Sequence, residues 1–503
     1  MEQKTYKERL KNAKLHDRIM TPHEASLLIK DKMVVAVSGF TPSGYPKDVP
    51  IALAERVKKD NEQLKVTLYS GASLGPEVDQ LWTEANIIER RLAYQTTDAL
   101  RRAINDGSVN YLDMHLSHFP QYLNYGMIAK PDIAIVEATS IDEEGNIVPT
   151  LAIGTTPSFV QHADKVIVEL NISKPLALEE MIDIYQLPNP PERKPIPLTH
   201  PGQKIGTPKI KCGLDKIAAI VITEGKDQTR PLSGADETSK QISENIIAFL
   251  NEEVKAGRLT NSLLPLQSGV GNIANAVLYG LIDSDFENLT CYTEVLQDAM
   301  LDLLKSGKLT NISTTAISLS PDEIIKFEKE IDQYKDKIIL RPQEITNNPE
   351  VIRRLGVIAM NTAIEIDIYG NVNSTHIAGS RMMNGIGGSG DFARNGSISI
   401  FSTPSCAKGG AISSVVPFVS HVDHTEHDVM VVVTEQGYAD LRGLTPKERA
   451  VKIINNCAHP DYRDQLMDYL QRACNQSANH TPHILPEALS WHSKFLKTGT
   501  MQP

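Results

Sequence analysis

The sequence predicts an α/β protein: two tandem, duplicated open α/β/α domains with mostly parallel sheets and an active site in the interdomain cleft. Three observations carry that expectation. Short apolar, β-branched runs alternate with stretches of helical periodicity, the pattern of strands joined by crossover helices and so paired in parallel. Three local patterns return in the same order about 220–230 residues later. The 503 residues exceed what one core usually holds, at about 150 residues per domain.

In the first copy, a polar N-terminal helix precedes a second helix over Thr21 to Lys30, with Thr21 as cap, Pro22 at the first helical position and Glu24 two residues on. A strand over Met33 to Ser38 runs into a Gly- and Pro-rich loop ending at Pro46, and a helix follows over Val49 to Lys58. Strands are predicted over Lys65 to Tyr69, Ile133 to Glu137, Lys165 to Leu170 and Ile217 to Thr223. Residues 184–212 carry Pro188, Pro190, Pro191, Pro195, Pro197 and Pro201, and read as an irregular excursion or linker. The loop Glu224 to Asp236 is the expected junction, giving domains 1–228 and 229–503.

Past the junction the grammar returns. Ser268-Gly269 follows a strand-like Leu263 to Leu266, as Ser38-Gly39 follows its strand. Tyr292-Thr293-Glu294 echoes Tyr69-Ser70-Gly71, and Asp367-Ile-Tyr-Gly-Asn-Val372 echoes Asp142-Glu-Glu-Gly-Asn-Ile147. The copies differ at one telling point: where the first has Gly71, the second has Glu294. Leu289 to Thr293 reads as a buried strand, and Val295, Leu296, Ala299, Met300, Leu303 and Leu304 recur at helical spacing before Lys305 and Gly307. Glu294 is therefore expected at the carboxyl end of a strand, on the turn into a helix, where open α/β sheets bind ligands. A carboxylate there can be a nucleophile, a base or a helix N-terminal charge.

Other motifs supply binding groups. Gln267-Ser268-Gly269-Val270-Gly271-Asn272 opens a helix and could hold a phosphate, a carboxylate or an oxyanion, although it lacks the P-loop spacing. Asn384-Gly-Ile-Gly-Gly388-Ser-Gly-Asp-Phe392 is the densest glycine run; it follows a polar stretch, which argues against dinucleotide binding. Lys408, beside Gly409 and Gly410, is a cation suited to a ligand phosphate. Asn347 and Glu435 lie after predicted strands as further polar candidates. His421-Val-Asp-His-Thr-Glu-His427 invites a metal reading, but its spacing fits no standard zinc pattern, and no metal is expected.

Composition narrows the partners. A net charge of −11 argues against nucleic acid, which needs a basic face. No apolar run approaches the roughly 20 residues needed to span a membrane. Five cysteines without a C-x-x-C pair suggest reduced thiols and a cytoplasmic location, with Cys291 a packed core thiol. Met1 to His16 is polar and mixed in charge, unlike a secretory or transit peptide.

Five stretches together resemble the acetyl-CoA hydrolase/transferase family, the branch of class I coenzyme A transferases that includes succinyl-CoA:acetate CoA-transferase. They are Gln267 to Asn275, Tyr292 to Asp298, Tyr369 to Thr375, Met383 to Phe392 and Thr434 to Gly437. The likeness covers nearly the whole chain and is strongest from about Pro265 to Trp491. It implies a nucleophilic Glu294, an oxyanion hole from the Val270 and Gly388 amides, and functional positions at Asn347 and Glu435. It also implies a CoA site on Gln267, Ser268, Gly269, Val270, Gly271, Asn272, Asn384, Gly388 and Lys408. Coenzyme A would be a substrate, not a resident cofactor; the partners would be acyl-CoA and short-chain carboxylates, and the assembly a homodimer. The family usually carries an arginine near the position of Gln228; here the arginine of that loop is Arg230.

The resemblance implies ping-pong transfer of CoA between an acyl-CoA and a carboxylate, through an acyl-glutamyl anhydride and a glutamyl-CoA thioester. A carboxylate nucleophile is already deprotonated at neutral pH and needs no general base. Net hydrolysis of acetyl-CoA by the same glutamate is the first alternative. A ligand sensor or sugar-phosphate isomerase on a related fold is the second.

Overall fold

The first sheet grows outward in both directions from β1 (Val34–Val37), in a computed structural model that describes residues 6–229 and 236–502. Its other strands are β2 (Val66–Ser70), β3 (Ile88–Leu92), β4 (Asn110–Leu112), β5 (Ile133–Ile141), β6 (Ile147–Pro149), β7 (Lys165–Asn171) and β8 (Ile217–Thr223). Their order is β4-β3-β2-β1-β5-β7-β8, parallel throughout, with β6 returning antiparallel on β5. Parallel strands covered by helices are apolar on both sides; all nine residues of β5 are buried. Val35, Val37, Leu68, Ile135, Ile167 and Val221 pack in one core with Val49, Leu53 and Val57 of the helix Asp48–Asp60. Truncating a side chain such as Leu53 to alanine there costs about 2–5 kcal/mol.

β3 and β4 are absent from the sequence reading. β3 is hidden by its charges: Glu89, Arg90 and Arg91 interrupt the apolar run. Arg91 is nonetheless fully buried, 3.2 Å from Asp79 Oδ1, and donates to the Ala72 carbonyl at 3.1 Å. A buried charge with its partners nearby is tolerated where a lone one is not.

The chain divides into two compact units: Met1–Pro231, Cys291–Asp298 and Asn311–Leu355 in the first, and Leu232–Thr290, Ala299–Thr310 and Gly356–Pro503 in the second. A single cut after residue 228 leaves Cys291–Asp298 and Asn311–Leu355 with the later half; by packing they belong to the first unit. The second unit begins its regular structure with the helix Glu237–Lys255, whose N-cap Asp236 accepts from Ser239 N. Its strands Leu266–Ser268, Ile358–Thr362, Ile398–Ser402 and Val431–Thr434 are parallel in that order, with Gly437–Asp440 antiparallel at the end. Both units are thus α/β with mostly parallel sheets. Ile366, Phe401, Val432, Leu441, Ile453 and Tyr462 are in the second core.

The repeated Asp-x-x-Gly-Asn pattern builds the same turn twice. Asp142 Oδ1 accepts Glu144 N at 3.0 Å and Asn146 N at 2.8 Å, and Asn146 Nδ2 reaches Asp142 Oδ2 at 3.1 Å. In the second unit Asp367 Oδ1 accepts Tyr369, Gly370 and Asn371 N–H groups at 3.0 Å, and Asn371 Nδ2 reaches Asp367 Oδ2 at 2.9 Å. The glycines hold φ of 84° at Gly145 and 100° at Gly370, which explains the residue at that offset.

The proline-rich excursion is packed, not a free linker. Ile196 and Leu198 are buried, Ile205 N donates to Asp183 Oδ1 at 3.0 Å, and Arg341 pairs with Asp183 while donating to the Pro201 carbonyl at 3.2 Å. Arg230 lies outside the described residues. Among the described residues, no helix is long and apolar enough to cross a membrane.

Candidate active site

Glu294 sits where the strand Leu289–Tyr292 ends, as expected, but not on a turn into a helix. Val295–Leu296 instead form a short parallel strand with Ala316–Ile317, and the helix begins at Asp298 and runs to Lys305. Glu294 is therefore outside the first turn of that helix, which removes the helix-charge reading. Its backbone is fixed: the Glu294 carbonyl accepts from Thr315 N at 3.0 Å, Ala316 N at 3.1 Å and Thr314 Oγ1 at 2.7 Å. The side chain is half-buried.

Asn347 meets it. Its Nδ2 donates to Glu294 Oε1 at 2.7 Å, and its Oδ1 accepts from Thr346 Oγ1 at 3.0 Å. Asn347 is fully buried at the end of the short helix Gln343–Thr346, and its N–H donates to the Gln343 carbonyl at 3.0 Å. Tyr292, named in the sequence, and Gln343, which sequence reasoning missed, hold this helix. The Tyr292 hydroxyl donates to the Ile345 carbonyl. Gln343 Nε2 donates to the Leu116 carbonyl at 2.7 Å, and its Oε1 accepts from Thr155 Oγ1 at 3.2 Å. Tyr292 belongs to the Tyr-Thr-Glu motif, and Gln343 lies four residues before Asn347, but nothing in the sequence links either to this helix's support.

Glu344, also on that helix, is nearly buried with Arg193 Nη2 at 3.5 Å. Burial pushes its carboxyl up to about 7, against the arginine's opposing pull. Cys291 is a buried core thiol, pushed up to about 12 by burial.

Gly71 is equally telling. A Cβ added there would lie 3.1 Å from the Gly39 carbonyl, 3.2 Å from Gln343 Oε1 and 3.2 Å from Phe40. A side chain at this position of the first copy would have to push a neighbour aside by a few tenths of an ångström, whereas the second copy carries Glu294 there.

In the second unit, Gln267 is committed to its neighbours: its Oε1 accepts from Met360 N at 3.1 Å, and it exchanges amide contacts at 3.3 Å with Asn361. Ser268 is buried and Gly269 N donates to the Met360 carbonyl at 3.2 Å. Val270 is 51% exposed, on the outer edge of the loop. Gly271, at φ 116°, caps the helix Asn272–Ile282. The cavity beneath, lined by Ser268, Gly269, Ile273 and Met360 among others, is about 10 Å³, enough for about one water. Asn384 is half-buried, and Gly388 is the N-cap of Ser389–Asn395.

Lys408 is the tip of the hairpin formed by Cys406–Ala407 and Ile412–Ser413, with its Nζ 5.1 Å from the Phe495 ring centroid. Glu435 braces that hairpin's base: its Oε2 accepts from Ser405 N at 2.8 Å, and Ser405 Oγ donates to Oε1. Burial raises the Glu435 carboxyl, but these bonds outweigh it and hold it below the usual range. The histidines of 421–427 diverge. His421 Nε2 faces Asp423 Oδ1 at 3.3 Å, His424 is buried and His427 is exposed.

Comparisons with known proteins agree with this architecture. A family model described as the acetyl-CoA hydrolase/transferase N-terminal domain matches residues 1–221, and the acetyl-CoA hydrolase/transferase C-terminal domain matches residues 325–470. The chain is 59% identical over 494 residues to a succinyl-CoA:acetate CoA-transferase of Clostridium kluyveri, covering 98% of this chain and 92% of that one. It is 46% identical over 516 residues to an acetyl-CoA hydrolase of Candida glabrata, covering 99% and 98%. Among solved structures, RipA from Yersinia pestis superposes with a TM-score of 0.70 at 23% identity, covering 91% of this chain and 97% of that one. A 4-hydroxybutyrate CoA-transferase from Porphyromonas gingivalis gives 0.63 at 21%, covering 93% and 100%. At these identities the structural likeness is one of fold.

Proposed function

We propose that this chain, which belongs to the acetyl-CoA hydrolase/transferase family, is a coenzyme A transferase that moves CoA between a short-chain acyl-CoA and a carboxylate through Glu294. The observation that carries the reading is the 2.7 Å bond from Asn347 Nδ2 to Glu294 Oε1. It orients a carboxylate at a strand end without neutralising it, as a nucleophile requires. The name of the 59% identical relative supports succinyl-CoA and acetate as the pair.

In the first half-reaction, a Glu294 oxygen attacks the thioester carbonyl carbon. The negative charge moves to the carbonyl oxygen, which the N–H groups of Val270 and Gly388 receive. The C–S bond breaks, CoA leaves as thiolate, and an acyl-glutamyl anhydride remains. The thiolate then attacks the Glu294 carbonyl carbon, the anhydride C–O bond breaks, and the free carboxylate departs from a glutamyl-CoA thioester. An acceptor carboxylate reverses both steps. Acyl activation is conserved at each stage, so no proton donor is needed between them. Lys408 and the N–H groups around Gly271 and Asn272 face the charges of CoA, with Gln267, Ser268, Gly269 and Asn384 shaping the loops that present them. Glu435 acts through Ser405, holding the Lys408 hairpin.

The reading predicts parallel double-reciprocal lines for acyl-CoA against carboxylate, and exchange of labelled acetate into acetyl-CoA without a second acid. Intersecting lines with no exchange overturn it. A second reading, net hydrolysis of acetyl-CoA, is favoured by the 46% identity to an acetyl-CoA hydrolase. It predicts steady CoA release with no acceptor acid present.

A further inference from the structure

One histidine of the stretch 421–427 packs against the turn that contains Gly388. His424 is 3% exposed, and its ring lies against Phe401 with centroids 4.7 Å apart. Its backbone is held by Val372: Val372 N donates to the His424 carbonyl at 2.8 Å, and His424 N donates back at 3.1 Å. The neighbouring Asp423 accepts from Ser374 N at 2.7 Å and Thr375 Oγ1 at 2.9 Å, anchoring the segment on its other side.

The imidazole Nε2 lies 3.1 Å from Ser389 Oγ, with Ser374 Oγ more distant at 3.4 Å. Ser389 has a single hydroxyl hydrogen, and it is directed to the Ile386 carbonyl at 2.7 Å. At the 3.1 Å contact the serine oxygen therefore accepts and the imidazole N–H donates. The relay runs from His424 Nε2–H to Ser389 Oγ–H to the Ile386 carbonyl. It spans Ile386 to Ser389, a turn that contains Gly387 at φ 58° and Gly388.

We propose that His424 is a positioning residue for CoA transfer: acting through Ser389, it fixes the Ile386–Ser389 turn and with it the direction of the Gly388 N–H. The inference rests on the reading that this amide receives the thioester oxyanion. An oxyanion donor works because it is aimed before the charge appears, so a turn free to rock loses rate and not substrate affinity. This gives the buried histidine of the stretch a physical role.

The test compares steady-state transfer from succinyl-CoA to acetate by wild type, His424→Leu, His424→Gln, Ser389→Ala and the double variant His424→Leu/Ser389→Ala. The expected result is a fall in kcat of about 10- to 100-fold for His424→Leu and Ser389→Ala, with KM for succinyl-CoA within about 2-fold. The double variant should be no slower than either single one, because both cut the same relay. His424→Gln, which keeps an N–H donor, should recover most of the rate. Ser389→Ala removes only one oxygen and keeps the test open if His424→Leu does not fold. Wild-type kcat in Ser389→Ala, or losses that multiply in the double variant, overturn the inference while leaving the transferase reading intact. A wild-type protein that transfers no CoA overturns both.

Discussion

Asn347 Nδ2 and Glu294 Oε1 are joined by a 2.7 Å hydrogen bond although 53 residues separate them in the chain. Cys291–Asp298 and Asn311–Leu355 pack in the same compact unit, and this bond lies within it. The unit thus supplies both the candidate nucleophile and the group that aims it. Removing that group should cost transition-state stabilisation more than binding. A hydrogen bond to a charged group contributes about 1.5–3 kcal/mol. Asn347→Ala should therefore lower kcat by about 10- to 100-fold with KM for acyl-CoA nearly unchanged. Unchanged kcat in stopped-time assays of transfer would separate Asn347 from the chemistry.

Gly71 should not tolerate a side chain. The Cβ of Gly71→Ala meets the Gly39 carbonyl, Gln343 Oε1 and Phe40 at 3.1–3.2 Å. Gln343 carries the carbonyl that holds Asn347 N. Overpacking of this kind costs about 1–3 kcal/mol, and here it pushes on the support of Asn347. Both Tm and transfer rate should fall; a wild-type rate at lowered Tm would show that Gln343 yields without disturbing Asn347.

Glu344 should make stability fall as pH rises. Its ordinary value is 4.5, and burial raises it to about 7 in the folded chain. Between those values the folded protein holds a proton that the unfolded chain has released. The stabilising contribution is complete below about 4.5 and is lost as pH rises through about 7. Replacing Glu344 by Gln keeps a neutral side chain and should flatten the decline of Tm over that window, gaining most at pH 8. Thermal melts across pH in the two proteins make the comparison, and parallel curves would remove Glu344 as the source.

Asp183 and Arg341 are a fully buried pair that ties the proline-rich excursion to the strand Ile338–Leu340. Breaking such a pair from one side costs about 3–5 kcal/mol, because the remaining charge stays buried. Asp183→Ala should lower Tm steeply and expose residues 184–212 to proteolysis. Asp183→Leu combined with Arg341→Met should recover much of the loss. A Tm for Asp183→Ala within a degree of wild type would contradict this.

Much of the architecture is legible in the residues because parallel strands buried on both faces must be apolar throughout. The runs around Val35, Leu68, Ile135, Ile167 and Ile220 announce themselves for that reason. β3 does not, since Arg91 is buried by ion pairing with Asp79, a contact no local pattern displays. The short strand Val295–Leu296 is misread because two β-branched or aliphatic residues fit a helix period as well as a strand, and only pairing with Ala316–Ile317 decides between them. The Gly71-to-Glu294 contrast marks Glu294 as a candidate site residue from the duplication, the family resemblance gives it the nucleophile's part, and a Cβ at Gly71 would be crowded at 3.1–3.2 Å. From its own surroundings Asn347 stands out as a polar residue after a strand, the family resemblance gives it a functional position, and its bond to Glu294 depends on long-range packing. In the histidine stretch, whose spacing fits no standard zinc pattern, the buried His424 lies with Nε2 3.1 Å from Ser389 Oγ, a contact no local pattern displays.

The most direct measurement of the central claim traps the covalent enzyme. The protein is incubated with succinyl-CoA, treated with borohydride, digested and examined by mass spectrometry, with Glu294→Ala alongside. The account predicts an alcohol in place of the Glu294 carboxyl, loss of activity in step with that modification, protection by added acetate and no modification in Glu294→Ala. An unmodified Glu294 peptide from a protein that is actively transferring CoA would contradict it.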